Sequence, residues 1–152
     1  MSNKKEIGLA IIGCGTIGRI RAMMAKDYPG ISWIGLCDIN EELGKKLLND
    51  CEADFFTTDY NDLVKRSEVN AVIIATDENH HFGPIMASLE NESSLFIEKP
   101  LATDLVESRD VLNKIKSTNV DAVLGYTHRF RRRFLTKSEI CVVVDNDKKA
   151  TN

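Results

Sequence analysis

Three glycines and one aspartate carry the first chemistry in the 152-residue sequence. In LAIIGCGTIGRIRAMMA, Gly13, Gly15 and Gly18 fall in a G-x-G-x-x-G spacing, behind an apolar run and ahead of an amphipathic one. At a strand-to-helix turn each has a mechanical task. Gly13 permits the tight turn, Gly15 lets the backbone approach a pyrophosphate, and Gly18 lets helix and strand pack closely. The helix N-terminus, opened by Thr16 and Ile17, then faces the anion. Asp38 closes the next apolar run, in IGLCDIN, where a carboxylate can accept hydrogen bonds from a ribose diol. The competing reading is that the glycines only make a turn and Asp38 only caps the following helix. A carboxylate at position 38 repels a 2′-phosphate, and Ile39 and Asn40 bring no cation to offset it. A helix starting near Glu41 would carry Lys45 and Lys46 away. NAD is therefore expected over NADP, with Gly13, Gly15, Thr16, Ile17, Gly18, Asp38 and Ile39 as contacts.

The elements that must position these residues show as apolar runs alternating with amphipathic stretches. The runs are Ile7 to Ile12, Ile31 to Cys37, Ala71 to Ala75, Leu95 to Ile97 and Val120 to Gly125, with a weaker strand candidate at Phe55 and Phe56. Most are apolar nearly throughout, as strands covered by helices on both faces must be. Helices are predicted over Thr16 to Asp27, Glu41 to Asp50, Tyr60 to Arg66, His81 to Glu90 and Asp104 to Ser117. This repeated β-α order predicts an α/β fold with a doubly wound parallel sheet of Rossmann type.

Composition narrows the function. The length suits one domain of ordinary size, and 43% hydrophobic residues suffice for a core. A net charge of -3 gives no general attraction to nucleic acid or anionic membrane. The basic stretch Arg129, Arg131 to Arg133 with Phe130 and Phe134 reads as a solvated helical face rather than a nucleic-acid patch. No apolar stretch approaches the roughly 20 residues that span a bilayer. Cys14, Cys37, Cys51 and Cys141 contain no C-x-x-C pair and read as reduced thiols, so a cytoplasmic location is expected. The three histidines and four cysteines offer no recognised metal spacing, and no G-x-S-x-G elbow occurs.

Methyltransferases that bind S-adenosylmethionine also use a glycine turn with a later acidic residue. Four landmarks in order separate the chain from them: the glycine turn, Ala75-Thr76 with His81, Glu98-Lys99-Pro100, and Gly125-Tyr126-Thr127-His128-Arg129-Phe130. Over about residues 6 to 136 the sequence resembles the glucose-fructose oxidoreductase and inositol dehydrogenase family, Gfo/Idh/MocA. The resemblance implies that Lys99 is the catalytic lysine contacting the reacting hydroxyl, and that Glu98 and Pro100 shape the turn near the nicotinamide. It also implies that Ala75, Thr76, His81, Glu98 and Lys99 line the cofactor groove. A lysine at the carboxyl end of a strand in an open α/β sheet sits on the ligand-binding edge and can stabilise a developing alkoxide. The family often has a cis peptide in this segment, which sequence alone does not predict here.

Two departures stand out. Asp77 occupies a position usually held by proline, and Glu92 one where glycine usually ends the helix. Residues 1–136 are read as the cofactor domain, and 137–152 as the start of a second domain or a disordered tail. The family's substrate domain is expected to be absent or truncated here, and with it an exposed apolar face and self-association or a companion chain are expected. Three functions follow: part of an NAD-dependent sugar or polyol dehydrogenase, a non-enzymatic NAD(H)-binding sensor or partner-binding module, or another nucleotide-binding protein.

Overall fold

A computed structural model describes residues 6–126. Six strands, β1 (Ile7–Ile12), β2 (Ile31–Cys37), β3 (Phe55–Thr57), β4 (Ala71–Ile74), β5 (Ser94–Glu98) and β6 (Ala122–Gly125), form one parallel sheet in the order 3-2-1-4-5-6. Five α-helices connect them: α1 (Thr16–Lys26), α2 (Glu41–Cys51), α3 (Tyr60–Val64), α4 (Phe82–Glu90) and α5 (Leu105–Ser117). The strand order reverses between β1 and β4, the switch point at which such sheets bind ligands.

The sheet separates two apolar layers. Leu9, Ile11 and Leu36 pack with Ala22, Leu47 and Cys51 of α1 and α2. Ala10, Val72 and Ile74 pack with Leu63, Ile85 and Val111 of α3, α4 and α5. Alternate residues of β1 are thus buried on opposite faces, which is why the run Ile7 to Ile12 is apolar without alternation. Among the described residues the first layer does not extend across the whole sheet. Phe96 is only half-buried and Val123 is exposed, beside the exposed Met24 and Tyr28 of α1 and its following turn.

Strand register matters most for the site. Ile12 pairs with Cys37 and with Ile74, and Ile74 pairs with Ile97. The next residues, Gly13, Asp38, Ala75 and Glu98, are therefore level along the carboxyl edge. Two bonds fix the turn's origin: the Gly13 N–H donates to the Cys37 carbonyl and the Ala75 N–H to the Ile12 carbonyl, both at 2.8 Å.

Several boundaries differ from the sequence reading. The helix read from His81 begins at Phe82, behind a 3-10 turn at Glu78–His80, and the His81 ring is buried. The helix read as Tyr60 to Arg66 ends at Val64, and Arg66 instead lies 4.2 Å over the Phe55 ring. Strand β6 begins at Ala122, while Val120 is buried ahead of it. The readings on Arg129 to Phe134, Ile140 to Val144 and the boundary at 136 lie outside the described residues.

Candidate functional site

The three glycines of the first turn serve distinct purposes. Gly13 has φ +98, and a Cβ there would lie 2.5 Å from the Ala75 carbonyl oxygen, so this turn accepts no side chain. At Gly18 a Cβ would lie 1.7 Å from the Gly13 carbonyl oxygen, so the first turn of α1 packs directly on the loop. Around Gly15 a Cβ would meet nothing within 4 Å. The fold itself accounts for the first and third glycines, and the second leaves backbone open to whatever approaches from solution.

Gly15 is also the N-cap of α1, and it supplies no side-chain acceptor. The early N–H groups of a helix have no intrahelical partner, so those near exposed Thr16 and Ile17 face the same opening. The N-termini of α2, α3 and α5 are instead capped by Asn40, Asp59 and Asp104.

Asp38 borders the opening from the end of β2. Its Oδ2 accepts the backbone N–H of Cys14 at 2.6 Å, and its Oδ1 accepts that of Asn40 at 2.8 Å. Capping of α2 falls to Asn40, whose side chain accepts the Leu43 N–H at 3.1 Å. Asp38 is thereby released from the capping role. Ile39 is 89% exposed beside it, and Lys45 is held along its own helix by Glu41 at 2.7 Å. The Cys14 thiol lies under the loop, and burial together with the Asp38 charge pushes its pKa up to about 12. It stays a neutral packing group.

The opposite bank comes from β4 and β5. Ala75 and Thr76 follow β4, and the Thr76 hydroxyl is buried with no hydrogen-bond partner among the described residues. A buried hydroxyl left unpaired is costly, so this edge can offer it to an incoming polar group. Lys99 stands exposed just beyond β5, before a cis peptide to Pro100. Among the described residues its ammonium has no ion-pair partner, and neither has Asp77.

His81 lies elsewhere than its expected place in the groove. Its ring is 1% exposed, with Nδ1 2.7 Å from the Pro100 carbonyl oxygen and Nε2 3.2 Å from that of Thr76. It braces the groove from beneath, joining the segments after β4 and β5.

Arg21 escaped the sequence reading. From α1 it donates through Nε and Nη2 to Glu98 Oε1, at 2.9 and 2.5 Å, and its guanidinium lies 4.8 Å from the Phe96 ring centroid. The sequence signal was an acid ending a mostly apolar strand, which needs a cation from another element. Lys99 therefore sits between Glu98, held from one layer, and Pro100, held from the other.

The site consequently offers an open glycine backbone at a helix N-terminus and a carboxylate at the end of β2, with a hydroxyl and an ammonium that have no partner among the described residues along the same sheet edge. These groups fit a dinucleotide. Comparison with known proteins agrees. Residues 7–126 match the model of the oxidoreductase family with an NAD-binding Rossmann fold, Gfo/Idh/MocA. The chain is 26% identical over 126 residues to scyllo-inositol 2-dehydrogenase (NAD(+)) of Bacillus subtilis, covering 82% of this chain and 37% of that protein. It is 25% identical to myo-inositol 2-dehydrogenase of Thermotoga maritima, covering 83% and 38% respectively. Among solved structures, scyllo-inositol dehydrogenase of Lactobacillus casei with NAD(H) and scyllo-inositol superposes with a TM-score of 0.79 at 22% identity, over 84% of this chain and 38% of that one. The chain thus spans well under half the length of these relatives. Its matched region, strand order and glycine turn place it in the Gfo/Idh/MocA oxidoreductase family, on that family's NAD-binding Rossmann fold.

Proposed function

We propose that this chain is the cofactor-binding part of an NAD-dependent sugar or polyol dehydrogenase, and that it binds NAD(H) in preference to NADP(H). The observation that carries the reading is the open space over Gly15, where the fold leaves backbone uncovered within reach of the Asp38 carboxylate. The pyrophosphate lies against the Gly15 backbone and the first turn of α1. The Asp38 carboxylate accepts the ribose hydroxyls and repels a 2′-phosphate, and Lys45 lies along α2 beside Glu41 rather than against Asp38. The Thr76 hydroxyl supplies a further hydrogen bond in the groove.

The nicotinamide, when bound, supplies the acceptor or donor of a hydride exchanged with a substrate C–OH carbon. Lys99 donates a hydrogen bond to the substrate oxygen and favours negative charge there, which assists loss of the hydroxyl proton. Because Lys99 has no carboxylate partner among the described residues, its charge is available to that oxygen. A substrate-holding element, on the same polypeptide or a companion chain, completes the pocket and sets which sugar or polyol is oxidised. The free thiols of Cys14, Cys37 and Cys51 accord with a reducing, cytoplasmic setting.

Titration of the purified chain with NADH, NADPH and S-adenosylmethionine, followed by calorimetry and nicotinamide fluorescence, tests the reading. Tightest binding of NADH supports it. Equal or tighter binding of S-adenosylmethionine, or no nucleotide binding at all, overturns it.

A further inference from the structure

We propose that Arg21 is a positioning residue for Lys99: by holding Glu98 from α1 it keeps the Glu98 carboxylate off the neighbouring ammonium and fixes the direction in which Lys99 leaves the sheet. The inference rests on the reading of Lys99 as the group beside the nicotinamide. It starts from an asymmetry of charge at the end of β5. Glu98 and Lys99 are consecutive, opposite in charge and at the same edge. Glu98 is 13% exposed in its side chain and bonded twice to Arg21, while Lys99 is exposed and has no ion-pair partner among the described residues.

A carboxylate so far withdrawn from water seeks a cation, because an unpaired charge in a poorly solvated place is expensive. Without Arg21 the cation nearest in sequence would be Lys99. Arg21 meets that need from a different element. Its guanidinium is confined on another side by the Phe96 ring, two residues before Glu98 on the same strand face. Two N–H groups on one oxygen and a stacked ring fix the head group more closely than the single point charge of a lysine would.

Arg21 also lies on the helix whose N-terminus borders the open glycine turn. One rigid element therefore touches the cofactor edge at Gly15 and, through Arg21 and Glu98, sets the residue preceding Lys99. On the other side Pro100 is held through the His81 ring. The freedom left to this segment is the exposed Lys99 side chain itself. Nothing in the known behaviour of exposed ion pairs, which contribute little, explains a pair placed this far out of water beside the reactive lysine.

The test uses the full 152-residue chain with its lysines reductively methylated with carbon-13, the Lys99 signal being the one lost in Lys99→Arg. In the unsubstituted chain, NADH should displace the Lys99 signal, since the amine lies beside the nicotinamide ring. In Arg21→Met that displacement should fall to less than half, with NADH affinity held within about threefold. Glu98→Gln keeps the side-chain shape and an oxygen for Arg21, so it decides the matter if Arg21→Met does not fold. It should leave the displacement near its full value, because the competing negative charge is gone. Full displacement in Arg21→Met, or a loss in Glu98→Gln as large as expected for Arg21→Met, overturns the role of Arg21 alone. NADH binding with no displacement in the unsubstituted chain overturns the placement of Lys99, and the inference with it.

Discussion

The Asp38 carboxylate accepts the backbone N–H of Cys14 at 2.6 Å, joining the end of β2 to the middle of the glycine turn across 24 residues of sequence. One acid thus orders the loop and, in the proposed function, accepts the ribose hydroxyls. Replacement by alanine removes both effects. Loss of a hydrogen bond to a charged group costs about 1.5–3 kcal/mol, so NADH affinity should fall roughly 10- to 100-fold in Asp38→Ala. Asp38→Asn keeps the shape and removes the repulsion, so calorimetry should show the preference for NADH over NADPH narrowing. Unchanged affinity in Asp38→Ala would place the ribose elsewhere.

The glycines give a second contrast. Gly15 has φ -64, and its added Cβ would meet no atom within 4 Å, so Gly15→Ala should unfold in urea at nearly the same midpoint while NADH binding collapses. Gly18→Ala should lose stability, since its Cβ would strike the Gly13 carbonyl and force the helix outward. Overpacking of this kind costs about 1–3 kcal/mol. Equal losses of stability in the two variants would show that Gly15 serves the fold rather than a ligand.

The parts of this site that sequence reveals are those whose cause is local. A run such as Ile11, Ile12 needs burial on both faces, and Gly13 needs a backbone that no side chain permits. Both requirements are written in consecutive residues. The level alignment of Gly13, Asp38, Ala75 and Glu98 follows from parallel register once the strand order is known. Arg21 with Glu98 is different. Their contact joins residues 77 apart and depends on how α1 lies over the sheet, which periodicity does not encode. His81 was legible as important but not as buried, because a histidine beside a helix start reads equally as a ligand or as a brace. The 3-10 turn at Glu78–His80 that sinks the ring has no sequence signature of its own.

Glu92 stands just beyond α4 with φ 54, a left-handed conformation that favours glycine. It is exposed and has no ion pair among the described residues to compensate. An L residue there costs about 1–2 kcal/mol in backbone strain, partly offset by the greater unfolded-state freedom of glycine. Glu92→Gly should therefore raise the denaturation midpoint by a modest amount, read in urea against the unsubstituted chain. A lowered midpoint would mean that the glutamate side chain contributes more than its backbone costs.

The buried thiols set an alkaline limit. Burial pushes the pKa of Cys14 and Cys37 up to about 12 from an ordinary value of 9.0, with the Asp38 charge adding to both. The folded chain therefore keeps protons that the unfolded chain releases. Their contribution to stability is complete below pH 9.0 and is lost progressively as pH rises toward 12. Thermal unfolding should show a falling midpoint above pH 9.0, with a smaller fall in a Cys14→Ala, Cys37→Ala double variant. Identical slopes in the two proteins would assign the fall to lysines and tyrosines.

Uncovered strand surface leads to the last prediction. Strands of a parallel sheet are ordinarily covered on both faces, yet on the α1 side an open groove exposes Val123 at 41% and leaves Phe96 half-buried, flanked by Met24 and Tyr28. Apolar surface of this kind favours association, because water is released when two such faces meet. In the absence of a companion chain, the purified protein should associate with itself through this face. Sedimentation velocity over a wide concentration range should show the average mass rising with concentration, and Val123→Lys should suppress the rise by placing a charge in the contact. The substitution is expected to spare the fold, since the side chain already meets solvent on an edge strand. A mass that stays at one chain throughout would leave the face without a partner among copies of itself. A rise unaffected by Val123→Lys would move the contact to another surface.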